Sequence, residues 1–558
     1  MNLKKLIPII ILLFAFSANA QISKVQYQQI DSLFTEWNKS NHPGGAIGIM
    51  QNGKTVFLKA YGLASMEYLV PNTIGTLFNT GSVSKQFTAM GIVLLQQQGK
   101  LSFDDDIRKY LPELPDFGET ISIRHMLHHT SGLRSLHAML GLAGWRGDDS
   151  RTNEDLNRFM NKQQDLNFKP GDEYLYCNTG YMLMVNIIER VTGEKFPKWM
   201  KNNVFEPLGM TNTYVEDNYN RIVLNNATSY YKDESNDFNR SVEYWGYIGS
   251  GNMHSTVEDI LIWLNNFSEP SLNWERAFKM LQTTDKLNDG SKNNYAFGVT
   301  VDEVKGLKRI QHGGAIGGFR SFVSAYPEEQ LSIAVLTNFS SSDSRQKKAQ
   351  IAAVLLKKYD KEIAVKEKTT EDLRANQLSN EKLKSFEASY WNDKDNYARK
   401  IYLKNDTLRY SRSATNESPI VPIGNDSFQM LKVSADLKVK FEINGKGKSM
   451  IVTVNHGQPS LFQGFEPTLR TKKELASYSG KFYSPELETT YDIYLKNDTL
   501  FYHNARHGDF KMKVLKKDVL EGEWPLNIAK FQRDEEGNIN GILVSNGRVR
   551  NLWFEKHQ

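Results

Sequence analysis

The sequence predicts an α+β domain, an antiparallel sheet with a helical subdomain, followed by two small all-β barrel domains. The first domain is indicated by an Asn-Gly hairpin, a long helical middle, and later strands that end in a closing helix. That order is typical of helices packed on an antiparallel sheet. A charged stretch at 361–382 separates this pattern from short alternating strands with turn signals between them.

The elements of the first domain follow from hydrophobic periodicity and turn residues. Asn52-Gly53 favours a tight hairpin turn, and Gly99 is a typical residue to follow a helix. Periodic apolar residues predict helices at 24–40, 84–98 and 344–359, and strands at 46–50, 55–58, 296–301, 309–312, 319–326 and 331–337.

The C-terminal part of the chain repeats itself. YLKNDTLRY begins at Tyr402 and returns as YLKNDTLFY at Tyr494, 92 residues later. An aromatic-rich strand precedes each copy, and Asn-Asp-Thr is a turn signal. We therefore expect two homologous modules of roughly 90 residues, each closed into a barrel because closure removes exposed sheet edges.

The N-terminal segment predicts export. A charged MNLKK start, an apolar run at 6–16 and Ala18-Asn19-Ala20 have the order of a cleavable signal peptide, with cleavage near Ala20-Gln21. We expect a periplasmic or secreted protein; an N-terminal membrane anchor is the alternative. The predicted divisions are the signal peptide 1–20, the first domain 21–362, a linker 363–382, and barrel modules 383–468 and 469–558.

Composition narrows the partners. Charged residues make up 24% of the chain, and the net charge of +5 is spread over 558 residues, which gives no support for nucleic-acid binding or stable membrane insertion. Cys177 is the single cysteine, so the chain has no internal disulfide. We interpret Cys177 as a small buried residue rather than a nucleophile, because no histidine stands near it in sequence.

A Ser-x-x-Lys pair at Ser82 and Lys85 is the first candidate catalytic motif. On a helix this spacing places both side chains on one face, one turn apart. The pattern also occurs at Ser229, Ser344 and Ser379. Only Ser82 follows a glycine and begins a long apolar helix, whose N-terminal dipole favours negative charge.

Two further motifs lie downstream. Tyr176-Cys177-Asn178 follows a Pro-Gly turn; beside Lys85 the Tyr176 phenolate would be favoured and could take the Ser82 proton. His312-Gly313-Gly314 ends a predicted strand, on which His312 and Gly314 share a face. Glycine at 314 would let a substrate approach the backbone closely.

A histidine cluster offers a metal site as an alternative chemistry. His125, His128 and His129 are close in sequence, but no cysteine or carboxylate pattern completes a zinc ligand set. We interpret these residues as part of a helix that ends at Gly132, and we predict no metal and no cofactor.

Together these motifs resemble the penicillin-recognising serine hydrolases. The resemblance covers residues 40–340 and includes class C-type β-lactamases, S12 peptidases and related esterases. It implies a β-lactamase/transpeptidase-like fold, an α/β sandwich. The motifs that carry it are FNTGSVSK at 78–85, IRHMLHHTSGL at 123–133, YCNTGY at 176–181 and HGGA at 312–315.

The resemblance implies a role for each site residue. Ser82 would be the nucleophile, Lys85 would assist its deprotonation, and Tyr176 would act as general base and then as acid. Asn178, His312 and Gly314 would bind substrate. The backbone N–H groups of Ser82 and Ala315 would form the oxyanion hole. How Lys85 and Tyr176 share the proton stays open.

His312 separates the members of this group. Many of its β-lactamases and carboxypeptidases carry lysine there, whereas D-aminopeptidases carry histidine and also two C-terminal lipocalin-like barrels. The resemblance therefore favours a D-aminopeptidase-like S12 peptidase acting through a Ser82 acyl-enzyme on a small peptide, D-amino-acid derivative or ester, with β-lactams as inhibitors or poor substrates. The alternatives are an esterase, a class C-like β-lactamase, or an inert binding or sensor module.

Overall fold

A computed structural model describes most of the chain. The described residues are 22–271, 273–360, 378–412, 416–431, 433, 437–445, 447–454, 459–467 and 470–557. The predicted signal peptide and most of the predicted linker lie outside them.

The first domain is built on a six-stranded antiparallel sheet with the order β12-β13-β14-β15-β1-β2. Asn52 and Gly53 form the β1–β2 turn with φ of 51° and 68°, as a tight hairpin requires. The strands are β1 Gly45–Gln51, β2 Lys54–Tyr61, β3 Leu63–Ser65, β4 Val70–Pro71, β5 Phe78–Asn79, β6 Tyr214–Val215, β7 Tyr230–Lys232, β8 Phe238–Arg240, β9 Met253–Ser255, β10 Asp285–Lys286, β11 Lys292–Asn293, β12 Thr300–Val304, β13 Leu307–Ile316, β14 Phe319–Tyr326 and β15 Leu331–Thr337.

Helices cover both faces of this sheet. The strand β15 is buried on both sides: Ile333 and Val335 join one core, and Ala334 and Leu336 join the other. Among the described residues, no helix combines the length and apolar character needed to cross a membrane. The helices are α1 Lys24–Ser32, α2 Lys85–Gln97, α3 Ile123–Leu127, α4 Leu136–Leu142, α5 Asn153–Met160, α6 Asn178–Thr192, α7 Phe196–Met200, α8 Glu206–Leu208, α9 Val257–Asn265, α10 Glu275–Leu281 and α11 Ser344–Leu355.

The structure corrects several predicted elements. Helix α1 ends at Ser32, and a separate turn at Thr35–Trp37 replaces the rest of the predicted 24–40 helix. The predicted helix before Gly132 ends at Leu127. The predicted strand 296–301 was wrong at its start: the Ala296 N–H donates to Val299 O, and Gly298 takes a φ of +75° against the backbone of α2. Strand β12 therefore begins at Thr300.

Two closed eight-stranded barrels follow the first domain, as the repeat predicted. The repeated Asn-Asp pairs form matching hairpin turns, with positive φ at Asn405, Asp406, Asn497 and Asp498. Short helices at Asn380–Ser385 and Lys472–Ala476 precede them. The first barrel contains β16 Ala388–Asn392, β17 Tyr397–Lys404, β18 Thr407–Ser411, β19 Glu417–Pro422, β20 Ser427–Met430, β21 Leu437–Asn444, β22 Gly447–Val454 and β23 Ser460–Phe465; the second contains β24 Gly480–Ser484, β25 Thr489–Lys496, β26 Thr499–Asn504, β27 Gly508–Lys516, β28 Val519–Glu521, β29 Ile528–Arg533, β30 Ile539–Ser545 and β31 Leu552–His557.

The second barrel packs directly on the helical subdomain of the first domain. Their apolar residues form one continuous core. Arg134, 1% exposed, donates from Nη1 to both carboxylate oxygens of Glu486. Tyr491 Oη donates to Leu142 O at 2.7 Å, and Arg506 pairs with Asp149 at 2.7 Å at the rim. Buried contacts therefore hold the second barrel against the helical subdomain of the first domain.

Replacing Arg134 by methionine should destabilise the folded protein by about 3–5 kcal/mol, because Glu486 would keep a buried charge without its partner. Arg506→Gln, which breaks an ion pair at the exposed rim, should cost at most about 1 kcal/mol. Denaturant unfolding monitored by tryptophan fluorescence measures both changes. Equal losses for the two variants would contradict the assignment of the buried pair as the main polar link.

Candidate active site

Ser82 lies in a single turn of 3-10 helix, Gly81–Ser84, that leads directly into α2. Gly81 has a φ of +54°, and a Cβ there would lie 2.8 Å from Ala315 N. Glycine is therefore required both by the backbone conformation and by the approach of β13. This packing brings the Ser82 turn against the strand predicted to bind substrate.

Lys85 is fully buried one helical turn from Ser82. Its Nζ donates to Ser82 Oγ at 3.2 Å and to Ser250 O at 2.7 Å. Burial lowers the pKa of Lys85 well below its usual value, and the positive charge of Arg548 lowers it further. A neutral amine at this distance can accept the proton of the Ser82 hydroxyl.

Tyr176 lies in the loop before α6, with its ring centroid 4.9 Å from Lys85 Nζ. The ring is partly exposed, but Oη is buried and makes no hydrogen bond within normal limits to the described residues. Burial raises the pKa of Tyr176 above its ordinary value, although the nearby Ser82 side chain acts against that rise. Burial thus favours the phenol form of Tyr176, and its role as a base for Ser82 stays a prediction.

Asn178 and Cys177 follow Tyr176 at the start of α6. Asn178 lines the cavity beside Ser82, and its Oδ1 is buried without a hydrogen-bond partner among the described residues. An amide group of a substrate could satisfy it. Cys177 is buried, its Sγ donates to Leu133 O at 3.3 Å, and burial raises the pKa of its thiol. These features fit the interpretation of Cys177 as a small buried residue.

His312 is a neutral residue on strand β13. Its Nδ1 lies 2.7 Å from Gly313 O, so this nitrogen carries the proton, and Nε2 accepts from Tyr295 Oη at 2.9 Å. Burial lowers the pKa of His312 to about 3. His312 therefore supplies a polar surface to the site but no positive charge.

The end of β13 has a free edge beside Ser82. Pairing with β12 stops at Gln311, so within the described part of the chain residues 312–316 have a strand partner only on the β14 side. An extended substrate can pair with such an edge. A Cβ at Gly314 would lie 1.9 Å from Thr80 O, so only glycine allows this strand to reach the nucleophile turn.

Gly314→Ala should lower kcat/KM for a p-nitrophenyl ester by about a hundredfold, because β13 must move away from Ser82 by a distance that disrupts the reacting geometry. Gly445→Ala is the matched control, since nothing lies within 4 Å of a Cβ there and its φ is not positive. An unchanged rate for Gly314→Ala would show that the strand is not part of the reacting geometry.

Two adjoining cavities of about 790 and 340 Å³ open at Ser82. Both are lined by Ser82, Asn178, Ala315, Arg320 and Arg548. The structure thus brings together every site residue predicted from the sequence: Ser82, Lys85, Tyr176, Asn178, His312, Gly314 and Ala315. Their individual roles stay predictions.

Several residues of the site were not predicted. Arg548 comes from the second barrel, Tyr295 holds His312, and Ser250 O receives the Lys85 ammonium or amine hydrogen. The sequence pattern suggests only a metal-ligand role for His129. In the structure it accepts from Cys177 N at 3.2 Å and its ring packs at a tilt against Tyr176, with centroids 4.2 Å apart. His128 Nδ1 lies 2.7 Å from Tyr295 O. The two histidines therefore support Tyr176 and Tyr295, which line the cavity.

This fold and this site define a serine hydrolase: a cavity-lining serine next to a buried lysine, beside a tyrosine and an open strand edge. Residues 30–357 match the Beta-lactamase family model, and the chain belongs to that family.

Relatives and solved structures agree with this placement. The chain is 28% identical to penicillin-binding protein 4* of Bacillus subtilis over 56% of this chain and 71% of that protein. It is 26% identical to the D-aminopeptidase of Gluconobacter oxydans over 59% of this chain and 62% of that protein. The structure of the octameric penicillin-binding protein homologue from Pyrococcus abyssi matches 79% of this chain and all of that one, at 25% identity and a TM-score of 0.55.

D-amino acid amidase from Ochrobactrum anthropi SV3 shares the fold, with a TM-score of 0.52 at 23% identity over 60% of this chain and 99% of that one. The match to the Gluconobacter D-aminopeptidase spans less than two thirds of that relative's length.

Proposed function

We propose that this protein hydrolyses small amides or esters of D-amino acids through an acyl-enzyme on Ser82. The observation that carries the proposal is the Lys85 Nζ–Ser82 Oγ contact of 3.2 Å, made by a buried lysine whose pKa is lowered. A neutral lysine next to a serine hydroxyl can accept its proton and so activates the serine as the nucleophile.

In the acylation step, Lys85 accepts the Ser82 proton while Oγ forms a bond to the substrate carbonyl carbon. The N–H groups of Ser82 and Ala315 stabilise the negative charge on the carbonyl oxygen. When the tetrahedral intermediate collapses, the bond to the leaving amine or alcohol breaks and Tyr176 gives that group its proton. Lys85 then returns a proton to the Tyr176 phenolate.

Deacylation reverses these transfers with water in place of the leaving group. The Tyr176–Lys85 pair takes a proton from water as the oxygen attacks the ester carbonyl. Ser82 Oγ regains a proton and the acid is released. This scheme gives Tyr176 the role of proton donor first, because its hydroxyl is protonated in the resting site.

Relatives guide the choice of substrate class. The similarity to D-aminopeptidases and to a D-amino acid amidase fold supports a D-amino-acid amide. An esterase or β-lactamase is the second candidate within the class, since the open cavity next to Ser82 can accept other acyl groups. The assembled Ser82, Lys85 and Tyr176 argue against an inert module. Export, with the predicted signal peptide, is part of the proposal.

The test compares D-alanyl p-nitroanilide, L-alanyl p-nitroanilide and p-nitrophenyl acetate as substrates of the purified protein. We expect hydrolysis of the D-anilide at least about tenfold faster than of the L-anilide. Hydrolysis of the acetate ester with no measurable anilidase activity would replace the peptidase proposal by an esterase. Hydrolysis of none of the three would contradict the hydrolase proposal.

A further inference from the structure

Arg548 brings part of the second barrel into the active site. It lies in the loop between β30 and β31, and its side chain lines both cavities next to Ser82. The Arg548 Cζ is 5.0 Å from the ring centroid of Tyr176. A residue of the last strand pair of the chain therefore lies beside the predicted proton donor.

The loop that carries Arg548 is fixed by hydrogen bonds to the first domain. Arg548 O accepts from Ser135 N at 3.3 Å and from Asn167 Nδ2 at 3.1 Å. Asn167 Oδ1 also accepts from Arg550 N at 2.8 Å, and Asn546 Nδ2 donates to Ala138 O at 3.2 Å. These hydrogen bonds hold the loop in place, and none of them involves the Arg548 guanidinium.

The charges around Ser82 are of one sign. Among the described residues, no aspartate or glutamate lines either cavity, whereas six cations do: Arg151, Arg309, Arg320, Arg345, Lys348 and Arg548.

Some of these charges are already balanced. Arg309 pairs with Asp302 at 2.7 Å, Glu243 attracts Arg320, and burial lowers the pKa of Lys348 to about 7. Arg548 forms no ion pair within the described part of the chain. Its guanidinium, exposed to the cavity, therefore carries an unbalanced charge close to the reacting groups.

We propose that Arg548 is a substrate-binding residue supplied by the second barrel, and that it selects amides or esters that carry a carboxylate near the scissile bond. A guanidinium binds a carboxylate with two parallel N–H donors. His312 is neutral and cannot supply the positive charge that binds a carboxylate. The inference rests on the proposed function and narrows its substrate class to amides or esters that also carry a free carboxylate.

The experiment measures kcat/KM for two esters with one acyl chain, mono-p-nitrophenyl adipate and its methyl ester, which lacks the free carboxylate. We expect wild-type protein to prefer the anionic ester. Arg548→Gln should lower the ratio of the two kcat/KM values by about tenfold, chiefly through KM of the anionic ester, because a charged hydrogen bond is lost. Arg548→Lys should retain part of the ratio, and added salt should reduce it.

Arg506→Gln is the matched control, since Arg506 also lies on the second barrel at the interface but lines neither cavity. It should leave the ratio unchanged. A ratio near one in wild type, an unchanged ratio in Arg548→Gln, or an equal drop in Arg506→Gln would each overturn the inference while the proposed function stands. Hydrolysis of neither ester by a protein that still cleaves D-alanyl p-nitroanilide would also overturn the inference. Hydrolysis of none of the three compounds would instead contradict the proposed function, and the inference with it.

Discussion

Ser82→Ala should lower kcat/KM for p-nitrophenyl acetate by about 10⁴-fold or more and should abolish covalent labelling of the protein by a penicillin. The acyl-enzyme of the proposed reaction forms on Ser82 Oγ, and without this oxygen Lys85 has no side-chain nucleophile to activate. Intact mass spectrometry after rapid quenching, beside the ester assay, measures both effects. We expect a mass gain equal to the drug in the wild type only.

Ser379→Ala is the control for this substitution. Ser379 belongs to another Ser-x-x-Lys motif, but its hydroxyl accepts from Lys382 N and caps a short helix in front of the first barrel. The variant should be labelled and should turn over ester like the wild type. Labelling of Ser82→Ala would assign the nucleophile to another residue, and a wild type that hydrolyses ester without labelling would indicate an enzyme that excludes β-lactams.

The sequence predicted those parts of the site that depend on local spacing. Ser82 and Lys85 are one helical turn apart, so a single apolar helix after Gly81 was enough to place them together. Strands β14 and β15 matched their predicted bounds because apolar residues continue to the ends of these buried strands. The repeated Asn-Asp turn likewise predicted two barrels, because each turn closes a local hairpin.

The parts that depend on long-range packing were not predictable. Arg548 is 466 positions from Ser82, and its loop reaches the site because the second barrel packs on the helical subdomain through a shared apolar core and the Arg134–Glu486 pair. The turn at Gly298, which delays β12, is imposed by the backbone of α2. No local sequence pattern predicts either contact, because the residues involved are distant in sequence.

The charge states of the site residues also depend on burial. From spacing alone, Lys85 was expected as an ammonium that favours a Tyr176 phenolate. In the fold both groups are enclosed, and desolvation disfavours the charged form of each. Burial therefore favours the neutral amine of Lys85 and the neutral phenol of Tyr176, and the division of the proton transfer between them stays a prediction.

Lys85→Met should lower kcat by about 10³-fold, since it removes the base at 3.2 Å from Ser82 while keeping the length of an unbranched side chain. In the wild type the neutral lysine is the active form, so activity should rise as pH increases through the lowered pKa of Lys85 and then level off. Steady-state rates between pH 5 and 9 with a p-nitrophenyl ester measure this limb. An activity that keeps rising toward the ordinary lysine pKa of about 10.4 would contradict a neutral Lys85 at neutral pH.

Lys85→Met should lower activity but raise stability at neutral pH relative to high pH. This pH dependence of stability distinguishes a neutral buried lysine from a charged one. Because the folded-state pKa of Lys85 lies below the unfolded value, the unfolded chain binds the proton more tightly. The free energy of unfolding of the wild type therefore falls as pH drops below about 10.4, and stops falling below the folded pKa. The Lys85→Met variant lacks this pH-dependent contribution to the free energy of unfolding. The difference in unfolding free energy between variant and wild type should thus grow by about 1.4 kcal/mol for each pH unit below the unfolded pKa of about 10.4, until the folded-state pKa is reached.

The difference between the two proteins cancels the other titrating groups. Its change with pH also removes the constant cost of leaving Ser250 O without its 2.7 Å donor. A difference that stays constant over this range would mean that Lys85 keeps its proton when buried. The first step of the proposed mechanism would then have to be assigned to a different base. A slope together with the loss of kcat would show that the burial of Lys85 lowers stability and supplies the base that activates Ser82.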